Sequence, residues 1–446
     1  MILIVTEMLE KLIYYYVERL SIFLIIVTLI VGMVGCACAR PTTETHVIEN
    51  WYDLDAIRTD LSGSYILKVN LNYTTPGYNE TASATAHNGE GWWPIGVDFG
   101  EFRGVFDGNG HEIRDLVINA PDKTNVGLFG YVDTGGVVKN ISVVNANVTG
   151  KEHVGGLVGR NDGAVINSYS SGNVKGDKNV GGLVGWNYAL GEVSASHSTA
   201  SVTGKETGDN DVGGLVGWND GEVSASNASG SVKGNKNVGG LVGWNDGEVS
   251  DSHSTSNVEG ELEVGGLVGR NCWGTVSDSH STSNVEGDTN VGGLVGRNSW
   301  GTVSDSYSIG NVTGEEHVGG LVGRNDGAVS DSDSIGCVTG TEDVGGLVGH
   351  IHTGAVSNSY STGSVTGEKD VGGLIGYRHG GAVSNSFWDK ETSGMEVSAD
   401  GIGKTTAEMK DITTFTPWEI VPVAPETKNG NYTWNIINGQ TYPFLS

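Results

Sequence analysis

One hexamer, Val-Gly-Gly-Leu-Val-Gly, recurs along most of this chain at nearly regular intervals. It begins at Val154, Val180, Val212, Val238, Val264, Val291, Val318 and Val344, with the variants VGGLIG at Val371 and VGLFG at Val126. From Val154 onward, successive hexamers are 26, 32, 26, 26, 27, 27, 26 and 27 residues apart. A repeat of about 20–50 residues is typical of solenoids, propellers and arrays, so it constrains the fold more than any other feature.

Each repeat contains three short segments of β character and shows no helical periodicity. In residues 238–260 these segments are VGGLVG, EVSDSHS and NVEG, and an Asn-Asp-Gly turn separates the first two. About five aliphatic positions per repeat cannot bury a core alone, so neighbouring repeats must stack. The sequence therefore predicts an all-β, right-handed parallel β-helix (β-solenoid) of about ten rungs, each with three strands, between N- and C-terminal capping segments.

An asparagine follows the hexamer at the same position in seven repeats. Stacked amides hydrogen-bond along the axis of a parallel β stack, as in cross-β ladders. The pattern therefore predicts a structural ladder formed by Asn161, Asn187, Asn219, Asn245, Asn271, Asn298 and Asn325. The alternation between 26 and 27 residues falls in the turn after this asparagine, as NDGEV and NCWGTV show.

Tryptophans precede that asparagine in three successive repeats, at Trp186, Trp218 and Trp244. At a strand spacing of about 4.8 Å they form either an apolar strip for sugar rings or a stack that shields a corner. Downstream the position becomes Arg270, Arg297 and Arg324, whose repulsion requires intervening carboxylates or the rings of Trp273 and Trp300.

The longest repeat carries two insertions, YAL at 188–190 and KETGDND at 205–211. Insertions in solenoids form loops that often lie on the binding face. Tyr188 therefore joins the three tryptophans as a ligand-binding candidate.

Aspartates share one position in four successive repeats, at Asp251, Asp278, Asp305 and Asp331. Like charges directly opposed on adjacent strands are destabilising, so we expect these carboxylates to face solvent. They are weak candidates for Ca²⁺, which prefers oxygen ligands. The alternative is a solvated acidic column that discourages edge association.

Charge and the N-terminal residues indicate the compartment. The net charge of −28 repels nucleic acid and anionic lipid, which excludes nucleic-acid partners. Residues 20–35 are apolar and uncharged and follow Lys11 and Arg19, which is the layout of an export signal. Three alternatives remain open: a lipid anchor on Cys36, a signal cleaved after ACA, and an uncleaved membrane helix. All three predict an extracellular protein.

Two further residue classes bear on that setting. Cys272 and Cys337 are expected to lie beyond disulfide reach of each other. Seven Asn-x-Ser/Thr sequons are candidates for glycosylation, at Asn72, Asn79, Asn140, Asn147, Asn227, Asn311 and Asn431.

The repeated VGGLVGxN, together with VSNSYSTGSVTG, resembles the GLUG-motif repeats of secreted and surface proteins, over about residues 126–388. The flanking GEFRGVFDGNGHEIRDLVIN and WNIINGQTYPFL resemble the lead-in and closing segments of such proteins. The resemblance implies a β-solenoid, extracellular placement and adhesin-like roles, with no catalytic residue. The predicted organisation is an export signal, membrane or lipid anchor at 1–40, an N-terminal β cap and lead-in module at 41–125, the solenoid at 126–388, and a C-terminal cap at 389–446.

We therefore expect a non-enzymatic surface or secreted protein that binds a glycan, a protein or the cell envelope. A polysaccharide-lyase-like enzyme built on a β-helix and a purely structural spacer are the alternatives. A zinc protease is rejected because HEIRD has Asp115 where H-E-x-x-H requires its second histidine. No cofactor is expected, with Ca²⁺ the one weak candidate.

Overall fold

The computed structural model describes residues 44–97, 100–208 and 210–446, so the export segment and Cys36 lie outside the described residues. Successive coils stack in parallel register along one axis, and two of the resulting ladders contain ten strands each. The predicted parallel β-solenoid of about ten rungs is confirmed. Within these ranges, every helix is too short or too polar to cross a bilayer.

Each coil contains five short strands and not the predicted three. In a central coil they are Lys236–Gly239, Val242–Asn245, Glu248–Ser250, His253–Ser254 and Asn257–Glu259, and we number the ladders 1 to 5 in this order. The prediction was wrong at two corners. The hexamer bends between ladders 1 and 2, and EVSDSHS is divided at Asp251, whose φ of 48° is left-handed.

The ladders extend to different lengths. Ladder 1 runs from Thr124–Val126 to Lys369–Gly372, and ladder 2 from Phe129–Val132 to Ile375–Arg378. Ladder 3 has thirteen strands and ends at Ala382–Ser384; it begins with Thr45–Ile48, Ser64–Leu67 and Val105–Asp107. Ladders 4 and 5 are joined within Ser142–Thr149 and Tyr169–Lys175. Ladder 3 thus extends on both sides of residue 126, the predicted start of the solenoid. That domain boundary stays a prediction.

Stacked aliphatic columns form the core of the solenoid. The hexamer contributes three buried side chains per coil, and ladders 3 and 5 add one valine each. One coil supplies Val264, Leu267, Val268, Val276 and Val285, all of them buried. Because no coil buries these side chains alone, stability depends on contacts between neighbouring coils.

Both ends of the solenoid are closed by short helices and aromatic side chains. At the N-terminal end the rings of Trp51 and Trp92 pack against each other. This end contains the helices Trp51–Asp55 and Tyr78–Thr81 and the 3₁₀ turns Ala56–Thr59 and Ala86–Gly89. The C-terminal segment contains Phe387–Asp389, Lys390–Ser393, Ile402–Lys404, Thr406–Met409 and Ile412–Phe415, and then a sheet of Ile420–Pro422, Trp434–Ile436 and Phe444–Leu445. Its own core surrounds Trp434.

The asparagine ladder is confirmed. The Nδ2 of each member donates to the Oδ1 of the next at 2.8 to 3.0 Å, from Asn161 through Asn325. The Nδ2 of every member before Asn325 also donates to a turn carbonyl, for example from Asn245 to Gly247 O at 3.2 Å. The amides are buried, so the ladder joins the coils by hydrogen bonds that water does not compete for.

Replacing Asn245 with Ala is expected to lower the free energy of unfolding by about 2 kcal/mol. The change removes the acceptor of Asn219 and the donor to Asn271, and it leaves buried polar atoms unpaired. Urea unfolding of the full chain measures the effect. The control is Asn257→Ala, at an exposed asparagine of the same coil. An equal loss in both variants would contradict a structural ladder.

Candidate functional site

A column of outward side chains follows ladder 2, one from each coil. We call it the stacked column; the parallel register aligns Tyr131, Arg160, Trp186, Trp218, Trp244, Arg270, Arg297, Arg324, His350 and Tyr377. The structure thus brings together the three predicted tryptophans and the three arginines.

The tryptophans stack on one another within this column. The ring centroids of Trp186 and Trp218 are 5.7 Å apart, and those of Trp218 and Trp244 are 5.5 Å apart. Guanidinium groups cover both ends of the stack, with Arg160 4.8 Å from the Trp186 centroid and Arg270 4.5 Å from that of Trp244. Both faces of Trp218 are therefore covered by neighbours, and the stack presents indole edges outward.

Two aspartates lie beside the indole edges. Trp186 Nε1 and Trp218 Nε1 donate to the two carboxylate oxygens of Asp220 at 2.9 and 2.7 Å. Burial raises the pKa of Asp220, and burial raises the pKa of Asp246 in the next coil to about 6, although Trp244 and Cys272 moderate the rise. These contacts give the tryptophans a role in joining coils.

More open aromatic surface lies in the turns after ladder 2. Tyr188 contacts Trp186 edge to face, with 5.0 Å between ring centroids. Further along, Trp273 and Trp300 stack at 5.1 Å and are 43% and 49% exposed. This edge therefore carries exposed rings, whereas the three predicted tryptophans are half-buried.

The four calcium candidates occupy a left-handed corner between ladders 3 and 4. Their φ angles are 48°, 50°, 49° and 48° at Asp251, Asp278, Asp305 and Asp331. Asparagine and aspartate adopt this conformation more readily than most other residues, so the backbone itself favours them here. Asp251 and Asp278 are exposed; Asp305 and Asp331 are half-buried, and burial raises the pKa of Asp305, with Asp331 and Asp278 adding to it.

Three of these acids line a groove between ladder 4 and the C-terminal segment. The groove has a volume of about 840 Å³ and includes Asp251, Asp278 and Asp305. Other side chains in its lining are Tyr307, Ile309, Ile335, Glu419, Lys428 and Tyr432. Ile309, Ile335 and Tyr432 are exposed, so the groove offers carboxylates beside open apolar surface.

A buried acid lies beneath this groove. Asp333 is aligned with Tyr307 and Tyr360 in ladder 4, and its side chain is almost fully enclosed. The Tyr360 hydroxyl donates to Pro443 O at 2.6 Å, which holds the C-terminal segment over it. Burial raises the pKa of Asp333 to about 8, and the Tyr360 side chain offsets only part of this. Asp333 is therefore mainly protonated at neutral pH and is not part of the charged lining.

Carboxylates neutralise the arginines of the stacked column, as the repulsion argument requires. Glu263 contacts Arg270 at 3.4 Å and Arg297 at 3.2 Å. Asp326 contacts Arg297 at 3.0 Å and Arg324 at 3.3 Å. Each carboxylate is buried and contacts one arginine of its own coil and one of an adjacent coil, so it joins the two coils.

Histidines replace arginine around an equivalent carboxylate near the C-terminal end of the array. Asp343 occupies the same left-handed corner of ladder 1 as Glu263, with φ of 55° and 59°. His350 Nδ1 lies 2.7 Å and His317 Nε2 3.2 Å from Asp343 Oδ2. Burial raises the pKa of Asp343, but hydrogen bonds from the two histidines outweigh it and lower the pKa to about 2.

The modification candidates differ in accessibility. Among the sequon asparagines, Asn79, Asn147, Asn311 and Asn431 are exposed, and Asn72, Asn140 and Asn227 are half-buried. Cys272 is buried, Cys337 is exposed, and both are free thiols.

Neither the groove nor the histidine cluster was predicted from the sequence. The groove depends on where residues 419–446 fold back, which no local pattern specifies. The cluster could have been found from the sequence, because Asp343 and His350 have the same separation as Glu263 and Arg270.

A family model described as the GLUG motif matches five segments of the chain, at residues 150–175, 176–203, 234–259, 287–313 and 340–366. The matches fall within the repeats that the hexamer defines. The resemblance stated from the repeat sequence is confirmed.

Two relatives share parts of this region. Halomucin of Haloquadratum walsbyi is 35% identical over 133 residues, which are 28% of this chain and 1% of halomucin. A protein of Evansella cellulosilytica, named as a Gly-rich membrane protein, is 36% identical over 125 residues, which are 27% of this chain and 14% of that protein. The chain thus spans a small fraction of both relatives.

Two solved structures align with the chain at low similarity. A candidate immunoglobulin A1 protease from Bacteroides ovatus aligns over 91% of this chain and 93% of its own, with 16% identity and a TM-score of 0.29. A structure named IgA1 protease aligns over 88% of this chain and 25% of its own, with 17% identity and a TM-score of 0.33.

Proposed function

Because the chain is a GLUG-motif repeat protein, we propose that it is a non-enzymatic, adhesin-like protein of the cell surface that binds a glycan. The names of its two relatives, a mucin and a membrane protein, support surface placement. The apolar export segment at 20–35 supports anchoring through the N-terminal residues, with Cys36 as the candidate lipid attachment point.

The groove beside ladder 4 is the observation that carries this proposal. Tyr307 and Tyr432 contribute aromatic surface, and the column of aspartates contributes hydrogen-bond acceptors. A concave site with apolar walls and a few polar groups is the general form of a small-molecule site. The stacked tryptophans are the second candidate surface, together with Tyr188, although their ring faces are largely covered.

The charge of the groove selects among glycans. The groove lining contains four carboxylates, of Asp251, Asp278, Asp305 and Glu419, and one lysine, Lys428. An acidic polysaccharide would meet like charge in this lining, whereas a neutral or amino-bearing sugar would meet acceptors. We therefore propose a neutral or amino-bearing glycan as the ligand, with Ca²⁺ not required.

The same charges weigh against the lyase alternative. A lyase acting on an acidic polysaccharide must bring an anionic polymer to its catalytic groups, and this groove repels one. Incubation of the full chain with acidic polysaccharides tests the point, since new unsaturated products would establish an enzyme and contradict a purely binding role.

A glycan-array screen of the wild-type chain and of Tyr307→Ala tests the proposed groove. We expect wild-type binding to a neutral or amino-bearing glycan and at least about a tenfold loss in the variant. Tyr169→Ala is the matched control, because Tyr169 belongs to the same ladder at the opposite end of the array.

A second variant, Trp218→Ala with Trp244→Ala, separates the groove from the stacked column. Loss of binding in this variant, with binding retained in Tyr307→Ala, would assign the ligand to the column. If the wild-type chain binds no glycan at all, the adhesin proposal is contradicted and a purely structural spacer is the remaining alternative.

A further inference from the structure

Three side chains from two successive coils converge near the C-terminal end of the array. His317 and Asp343 occupy neighbouring left-handed corners of ladder 1, and His350 belongs to the stacked column. One ligand atom from each, two imidazole nitrogens and one carboxylate oxygen, lies within 4.8 Å of the others. Asp343 is buried and both histidines are half-buried, so the cluster is held by the fold.

A hydrogen bond on the far side of His317 fixes how its ring is used. His317 Nδ1 lies 2.9 Å from Asn290 Oδ1, with the amide assigned so that its oxygen faces the ring. The asparagine oxygen accepts from Nδ1–H, which leaves a lone pair on Nε2 of the neutral ring. That lone pair points toward Asp343 Oδ2 at 3.2 Å, so a proton or a cation must lie between them.

We propose that His317, Asp343 and His350 bind one divalent transition-metal ion of the Zn²⁺ class. Two imidazoles and one carboxylate are a frequent protein ligand set for Zn²⁺, which completes a four-coordinate shell with a water or another oxygen. The Asn290 contact is the outer hydrogen bond that orients a metal-binding histidine. Glu316 supplies a candidate fourth ligand, because its Oε1 lies 3.4 Å from His317 Nε2.

These ligands do not suit Ca²⁺, the ion considered from the sequence for the column of aspartates. Ca²⁺ prefers six to eight oxygen ligands, whereas imidazole nitrogen suits Zn²⁺, Co²⁺, Ni²⁺ and Cu²⁺. The array therefore offers a transition metal a site that joins two coils. In neighbouring coils the Arg–Glu ion pairs have that joining role.

A second histidine provides an internal comparison. His153 occupies the same corner of ladder 1, and its Nδ1 lies 2.9 Å from Asn125 Oδ1. In the next coil, however, its neighbours are Asn179 and Trp186 in place of Asp343 and His350. The imidazole and its asparagine partner are thus present without the other ligands, so His153 is not expected to bind a metal.

Titration of the untagged full chain with Zn²⁺ by calorimetry, and with Co²⁺ by visible absorption, tests the proposal. We expect one equivalent of metal at this site and the visible absorption of tetrahedral Co²⁺. His153→Asn should bind like the wild type. Absence of wild-type binding at micromolar metal would show that only a proton lies between His317 and Asp343, and would overturn the proposal.

Two substitutions keep the fold while removing ligands. His317→Asn introduces the residue found at this left-handed corner in the preceding coil, and His350→Arg introduces the arginine of the column, which can pair with Asp343 as Arg270 pairs with Glu263. Each should abolish the Co²⁺ spectrum while far-ultraviolet circular dichroism stays unchanged. Asn290→Gly should weaken binding by about tenfold. Folded variants that bind metal as the wild type does would contradict the assignment.

Discussion

Replacing Gly266 with Ala is expected to lower the free energy of unfolding by more than about 3 kcal/mol. A methyl group at this position would lie 2.1 Å from the carbonyl oxygen of Gly293 in the next coil and 2.3 Å from Ser281 Oγ in the same coil. The carbonyl belongs to the backbone of the stacked corner between ladders 1 and 2, so the coils must separate to admit the methyl group. Such a gap disrupts the stacking contacts that stabilise a repeat array.

Urea unfolding followed by circular dichroism measures the loss. Gly430→Ala is the control, because a methyl group there meets no heavy atom within 4 Å. We also expect the Gly266 variant to broaden the unfolding transition or divide it in two, since each half of the array then unfolds with less support from the other. A Gly266→Ala variant within about 0.5 kcal/mol of the wild type would contradict the close stacking of coils.

Replacing Asp333 with Asn is expected to change how stability depends on pH. In the folded chain the pKa of Asp333 is about 8, because the residue is buried beneath the C-terminal segment. In the unfolded chain it is about 3.9. Between these values the folded state binds one more proton than the unfolded state, so this group makes stability fall as pH rises. The slope is about 1.4 kcal/mol per pH unit and levels off above the folded pKa.

The variant lacks this proton, so its stability relative to the wild type should rise by about 1.4 kcal/mol per unit from pH 5 to pH 7. Denaturant unfolding of both proteins across this range gives the difference, in which the contributions of Asp220 and Asp246 cancel. Asp122→Asn, at an exposed position, controls for loss of one negative charge. A constant difference between variant and wild type would show that Asp333 is ionised in the folded chain.

The repeat predicted the solenoid because its periodicity follows from side-chain contacts that only a neighbouring coil can supply. Val264, Leu267 and Val268 had to be covered by the next coil, and Asn245 had to find its amide partners along the axis. The number of strands per coil was wrong because a left-handed residue such as Asp251 divides an apparently continuous strand. Alanine occupies the same left-handed corner in two earlier coils, at Ala195 and Ala225, so residue type alone did not mark the corner in the sequence.

The candidate sites were less predictable, for a different reason. The stacking of Trp186, Trp218 and Trp244 followed from register, and the need for carboxylates beside the arginines followed from charge. The groove depends on residues 419–446 folding back over ladder 4, a contact between segments far apart in sequence. For this reason neither the place of Tyr307 in a groove nor the burial of Asp333 could be predicted from the sequence.

The proposed glycan site is the groove between ladder 4 and the C-terminal segment. Hydrogen–deuterium exchange of the full chain, with and without the oligosaccharide selected on the array, tests it most directly. We expect slower exchange in peptides containing Tyr307 and Tyr432, and unchanged exchange in the peptide containing Trp186 and Tyr188. Slower exchange confined to the stacked column, with the groove peptides unchanged, would contradict it.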